Sequence, residues 1–113
     1  MNETMSGAEL YALRSSWGLS ITDIAHELGR NERTIRRWES GEARLSMAVT
    51  AQIQAIDQYL NELAEVIMAA GISTIERGVV PTIKGWENCT WNFFLSAAGR
   101  AVNEGHRIDF VES

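Results

Sequence analysis

Hydrophobic positions recur at helical spacing along most of the chain, and polar, glycine-bearing breaks cut them into segments. Leu10, Leu13 and Trp17 share one face of a helix predicted over Ala8–Trp17 and ended by Gly18. Ile21, Ile24, Ala25 and Leu28 mark a second, short helix, with Ser20 as N-cap, Asp23 returning a hydrogen bond to the first turn, and Gly29 as the stop. Asn31 caps a third over Glu32–Ser40, with Ile35 and Trp38 inward and Gly41 after it. Ser46 opens a much longer helix, Met47–Ala70, closed by Gly71. Its apolar positions Val49, Ile53, Ile56, Leu60, Leu63 and Ile67 alternate in steps of four and three, a heptad-like seam. At ~1.5 Å per residue that helix is roughly 36 Å long, too long for a small head domain to cover, so the seam is expected to need a partner elsewhere.

The remainder is mixed. Val79–Ile83 reads as extended, and Pro81 confines it to a sheet edge or a strand start. Trp91–Glu104 reads as an amphipathic helix built on Trp91, Phe94, Leu95, Ala98, Ala101 and Val102. The tail Arg107–Val111 alternates Ile108 and Phe110 with charged residues, as a strand does. Two such short strands cannot stand alone in water and are expected to pair with each other or with a second subunit. The predicted fold class is mainly α, with a helix-turn-helix bundle over 1–46 and a long helix plus a small α+β dimerisation region over 47–113.

At 113 residues with one cysteine, Cys89, the chain suits a single small protein that needs neither disulfide nor metal to fold. The polar stretch Met1–Gly7 lacks the order of a secretory signal, and no apolar run approaches a membrane span, so a cytoplasmic location is expected. The net charge of −5 argues at first against nucleic acid. The distribution changes that picture: Arg30, Arg33, Arg36, Arg37 and Arg44 oppose only Glu32, Glu39 and Glu42, a local net of +2. Residues 47–113 carry four basic against eight acidic groups, a net of −4. A phosphate backbone responds to the local field rather than to the total.

The segment Ser20–Gly41, SITDIAHELGRNERTIRRWESG, carries the most specific signal. Ala25 stands where two helices approach, Gly29 gives the sharp turn, and Ile24, Leu28, Ile35 and Trp38 face inward. That is a helix-turn-helix, in which one helix crosses the DNA backbone and the next enters the major groove. Through I-A-x-x-L-G, T-I-x-x-W-E-x-G and Arg14, residues 6–46 resemble the lambda-repressor/Cro-type (XRE) family. The resemblance implies a structural ion pair between Arg14 and Glu39 and places Glu32, Arg33 and Arg37 at base-reading positions, with Arg36 close by. Arginine can bond bidentately to guanine O6 and N7, and Glu32 can accept from cytosine N4. Phosphate contacts are expected from the N-terminus of the second helix at Ser20 and Ile21, helped by Thr22, and from Arg30 and Arg44 on either side of the reading helix. Arg30 departs from the family, where a small or apolar residue is common. The bland alternative is an exposed helix with a solvated basic face.

A head of this type, a long helix, W-E-S-G and a tail of EGHRIDFV are similar in build to the anti-CRISPR-associated (Aca) regulators and their YdiL-like relatives; Gly71–Asn88 lacks a convincing match. The resemblance implies a homodimer joined through its C-terminal part, binding inverted repeats in its own promoter to turn down a phage operon; it leaves RNA binding open. Geometry independently favours a two-fold assembly, because one reading helix covers only a few base pairs. Val49, Ile53, Ile56, Leu60, Leu63, Ile67, Trp91, Phe94, Ile108 and Phe110 are the expected interface, the alternative being that they complete the monomer's core. Cys89, His106 and Asp109 suggest a thiol–imidazole–carboxylate set, but His26 and His106 sit in no catalytic motif, and a buried structural thiol with two surface histidines is the expected reading. The expectation is a non-enzymatic, cofactor-free dimeric repressor on double-stranded DNA. Its rivals are an antitoxin with the same head and a protein–protein adaptor.

Overall fold

The computed structural model describes residues 4–111, so the first three residues of the stretch Met1–Gly7 lie outside it. Among the described residues five helices and two very short strands follow in the order α1 (Gly7–Ser16), α2 (Ile21–Leu28), α3 (Glu32–Glu39), α4 (Met47–Ala69), β1 (Thr74–Ile75), α5 (Trp91–Asn103) and β2 (Asp109–Phe110). The chain forms two compact units that divide inside α4, between Asp57 and Gln58, rather than ahead of that helix at residue 46.

In the first unit each helix start is fixed by a side chain that satisfies otherwise orphaned N–H groups. Ser6 caps α1 in a reciprocal box with Glu9, through bonds of 3.1 and 2.8 Å. Ser20 and Asp23 do the same for α2, and the Asn31 carboxamide oxygen accepts from the Thr34 N–H at 2.9 Å to start α3. Gly29, at φ 63°, ψ 35°, takes the left-handed conformation that ends α2 and turns the chain into α3. Gly7 has a different duty. Its α-carbon lies so close to the Trp38 carbonyl that any Cβ there would collide with it. α3 therefore packs against both α1 and α2, with Leu10, Trp17, Leu19, Ile24, Ala25, Ile35, Trp38, Leu45, Val49, Ile53 and Ile56 in the core. The Trp17 indole N–H reaches Asp57 Oδ1 at 3.3 Å, and the Met5 N–H reaches the buried Thr50 hydroxyl at 2.9 Å.

The second unit is built on Leu60, Leu63, Ala64, Ile67, Ile75, Ile83, Phe93, Phe94, Ala97, Ala98 and Ala101. Thr90 caps α5, and Trp86 and Trp91 stack on Phe93 and Phe94 at centroid distances of 6.4 and 5.9 Å. β1 and β2 are parallel, with Thr74 opposite Asp109 and Ile75 opposite Phe110, and α5 lies in the connection that a parallel pair requires.

Three expectations change here. Val79–Ile83 is not a strand: Pro81 offers no N–H to a ladder, Val79 is exposed, and only Ile83 is buried as an anchor. The partner of the tail is instead Thr74–Ile75. The seam is not left uncovered: Val49, Ile53, Ile56, Leu60, Leu63 and Ile67 are at most 3% exposed in the single chain, the first three in one unit's core and the rest in the other's. The inward face of α5 is also rotated, with Phe93 and Ala97 buried and Leu95 and Val102 exposed.

Candidate nucleic-acid interface

The chemistry of α3 follows from its period. Ile35 and Trp38 are buried, which forces Arg33, Arg36 and Arg37 to project outward. An ion pair clamps the inner side. Arg14 Nε lies 2.7 Å from Glu39 Oε2 and its Nη2 lies 2.9 Å from Oε1, a two-pronged contact, while Nη1 donates to the Leu19 carbonyl at 3.1 Å. The two side chains are only 14% and 9% exposed, and hydrogen bonding to Glu39 raises the Arg14 pKa above its already high value. Arg14 thereby ties the end of α1, the chain entering α2 and the end of α3 together. The helix that would read DNA is held at both of its ends, by the Asn31 cap and by Glu39.

The outward arginines differ in their surroundings. Arg36 Nη2 lies 3.3 Å from Glu32 Oε1, one turn back on the same helix. Arg37 Nε lies 3.6 Å from Glu42 Oε2, in the turn after α3. Arg33 is exposed and has no carboxylate within ion-pair distance among the described residues. The Arg30 guanidinium lies 5.8 Å from the centre of the Trp38 ring and remains exposed beside the start of α3. Arg44 is exposed after the turn.

At the start of α2 one expected anchor is already committed. The Ser20 N–H donates to Asp23 Oδ2 at 2.8 Å, and the Ser20 hydroxyl donates to that same oxygen, also at 2.8 Å. Ser20 therefore does not offer a free N–H to a phosphate, and the Asp23 carboxylate occupies part of the helix's positive end. The N–H groups of Ile21 and Thr22, in the first turn, have no acceptor within the helix. On the same helix, burial pushes the half-buried Glu27 carboxyl above the usual carboxylate range.

The residues expected at a dimer contact separate. Phe94 and the six seam positions are core, Trp91 and Ile108 are half-buried, and Phe110 is 38% exposed. The spacing of Leu95, Gly99 and Val102 was missed as a surface stripe. All three are exposed on α5, and with Ala98, Ile75, Ile108, Asp109 and Phe110 they line an apolar groove of about 240 Å³. Elsewhere in that unit His106 is half-buried rather than on the surface, with Nε2 2.6 Å from the Ile72 carbonyl oxygen, and Cys89 is half-buried rather than fully enclosed. Among the described residues no three His, Cys, Asp or Glu side chains converge as a metal site, and no helix is long and apolar enough to cross a membrane.

Comparison with known proteins bears on the whole of this arrangement. The Aca2/YdiL-like family model matches residues 5–99, taking in α1 to α4 and most of α5. The chain belongs to the Aca2/YdiL-like family. It is also 33% identical over 66 residues, 58% of its own length, to a Pyrococcus horikoshii protein named "Putative HTH-type transcriptional regulatory protein PH1808". The chain spans about a fifth (21%) of that relative. As an Aca2/YdiL-like protein it is mainly helical, with the basic surface of α3 in one unit and the apolar groove in the other.

Proposed function

We propose that this Aca2/YdiL-like protein is a sequence-specific DNA-binding transcriptional regulator that represses as a homodimer on an inverted-repeat operator in its own promoter. The observation that carries the reading is the outer face of α3. Arg33, Arg36 and Arg37 project from a helix that is capped at one end, clamped by Arg14–Glu39 at the other and seated on buried Ile35 and Trp38. A rigid helix with arginines on its free side suits the major groove, where a bidentate arginine distinguishes guanine from the other bases. Arg33 and Arg37 are assigned to base edges, with Arg36 and Glu32 beside them. Arg30, Arg44 and the N–H groups of Ile21 and Thr22 are assigned to phosphates, which fix register without carrying sequence information.

The homodimer is proposed through the second unit's apolar surface. Leu95, Val102 and Phe110, which line the groove, and Val111, next to Phe110 in the chain, are 37–50% exposed. Asp109 and Val111 donate their N–H groups to Ser73 and Ile75, so the Phe110 N–H and carbonyl point to the open edge, where a second copy of β2 can pair. Two-fold pairing supplies a second reading helix for a half-site about one helical turn (~34 Å) away, and a bound dimer covering a promoter blocks polymerase by occupancy.

The test compares wild type with Arg33→Ala and Arg37→Ala on a selected operator and on operators changed one base pair at a time. The expected result is weaker binding with lost discrimination at one or two positions per half-site. Variants that bind every duplex as wild type does would overturn the assignment.

A further inference from the structure

The reading surface carries its own counter-ions. Glu32 lies on α3 one turn before Arg36, and both side chains are largely in solvent, 44% and 61% exposed. Glu42 is placed differently, by backbone. The Ala43 N–H bonds to the Arg37 carbonyl at 3.1 Å, and the Glu42 N–H reaches the Ser40 hydroxyl at 3.4 Å, which folds the turn back so that the Glu42 carboxylate meets Arg37. Neither contact belongs to the fold's interior, unlike Arg14–Glu39. Exposed pairs of this kind are weak, so a competing anion of suitable geometry displaces them readily.

We infer that Glu42, seconded by Glu32, is a specificity-determining residue that holds the reading arginines as weak internal ion pairs and so suppresses binding to DNA of the wrong sequence. This rests on the DNA-binding reading above. On non-cognate DNA an arginine gains only phosphate attraction, and against it stand the lost carboxylate contact and the repulsion between that carboxylate and the backbone. On the operator Arg37 turns Nη1 and Nη2 to base edges while its Nε keeps the Glu42 carboxylate, so directed hydrogen bonds are gained and the pair is not given up. The penalty thus falls mainly on non-cognate DNA, and the difference between the two affinities widens. A strongly basic helix without such carboxylates would bind any duplex.

The experiment measures Kd on the selected operator and on a scrambled duplex of equal length, across a salt series from ~50 to ~200 mM. It uses full-length wild type, Glu42→Gln, and Glu76→Gln, a carboxylate in the other unit that makes the same charge change. Glu42→Gln is expected to tighten scrambled-duplex binding about three-fold per copy, roughly ten-fold for a two-fold assembly, and to tighten operator binding less. Its salt slope on scrambled DNA should steepen by up to ~0.9 for each arginine released to a phosphate. The gain should vanish when Arg37→Ala is added. Equal effects from Glu42→Gln and Glu76→Gln, or a gain that persists without Arg37, would overturn the inference while leaving the DNA-binding reading intact. Wild type binding neither duplex would instead bring down that reading.

Discussion

The Arg14–Glu39 clamp allows a quantitative prediction about how the reading helix is held. Removing the guanidinium by Arg14→Ala breaks two contacts to Glu39, at 2.7 and 2.9 Å, and one to the Leu19 carbonyl at 3.1 Å. A hydrogen bond to a charged group contributes about 1.5–3 kcal/mol net of the water it replaces, and the three here share one guanidinium and do not add. Breaking a fully buried pair costs ~3–5 kcal/mol. Here the side chains retain 14% and 9% exposure, so water partly solvates the abandoned carboxylate. The predicted cost of Arg14→Ala is therefore about 2–3 kcal/mol, with Glu39→Ala similar, against a typical domain stability of ~5–15 kcal/mol. The double variant leaves no stranded charge at this site and should fall short of the sum by about 1–2 kcal/mol. Urea unfolding followed by far-ultraviolet circular dichroism measures all four proteins. Additivity within ~0.5 kcal/mol would show that the two side chains do not act on each other, and the clamp argument would be wrong.

Other consequences follow from single positions. Arg33→Ala should weaken operator binding by ~1–3 kcal/mol per half-site and relax preference at one base pair, read by titration against the single-base operator series. Gly7→Ala places a methyl group against the Trp38 carbonyl and should destabilise by about 1–3 kcal/mol, whereas Ala8→Gly at an exposed site nearby should cost under ~1 kcal/mol; comparing their melting temperatures isolates the clash. Burial raises the Glu27 pKa above 4.5 in the folded state, so the native protein holds that proton more tightly than the unfolded chain does. The associated stability is fully present below the unfolded value and is lost as pH rises through the folded one. Glu27→Gln should flatten that part of the curve of melting temperature against pH; an unchanged curve would refute it. Leu95→Glu with Val102→Glu should shift sedimentation towards a single subunit and leave the circular dichroism spectrum intact, because both side chains are exposed.

Much of the first unit was legible because its determinants are local. Ser20, Asp23, Gly29 and Asn31 act within a few residues of where they stand, and the alternation of Ile35 and Trp38 with arginines fixes which way α3 faces. The α1 cap was not read from the sequence, although its box of Ser6 and Glu9 is as local as the others. The seam of α4 was visible as a buried stripe, but spacing reports that a face is covered and not by what. Both units draw on that stripe, so no second chain is needed for its burial. The C-terminal pairing was the least legible. Thr74–Ile75 is too short to show alternation, and its partner lies beyond α5, whereas Val79–Ile83 had β-forming residues but also a proline. At the candidate site, residue types and faces were readable, while the commitments between them were not. That the Ser20 N–H is taken by Asp23, that Arg30 lies over Trp38 and that Glu42 folds back on Arg37 depend on turn geometry that residue spacing does not encode.

The central claim is that α3 reads DNA from two copies at once. Selecting bound fragments from random double-stranded DNA with the full-length protein, then footprinting the winners, tests it directly. The account predicts enrichment of one inverted repeat, with protected half-sites centred about one helical turn (~10 base pairs) apart and loss of enrichment with Arg33→Ala. Pools that stay random after successive rounds, or a winning sequence without two-fold symmetry, would contradict it.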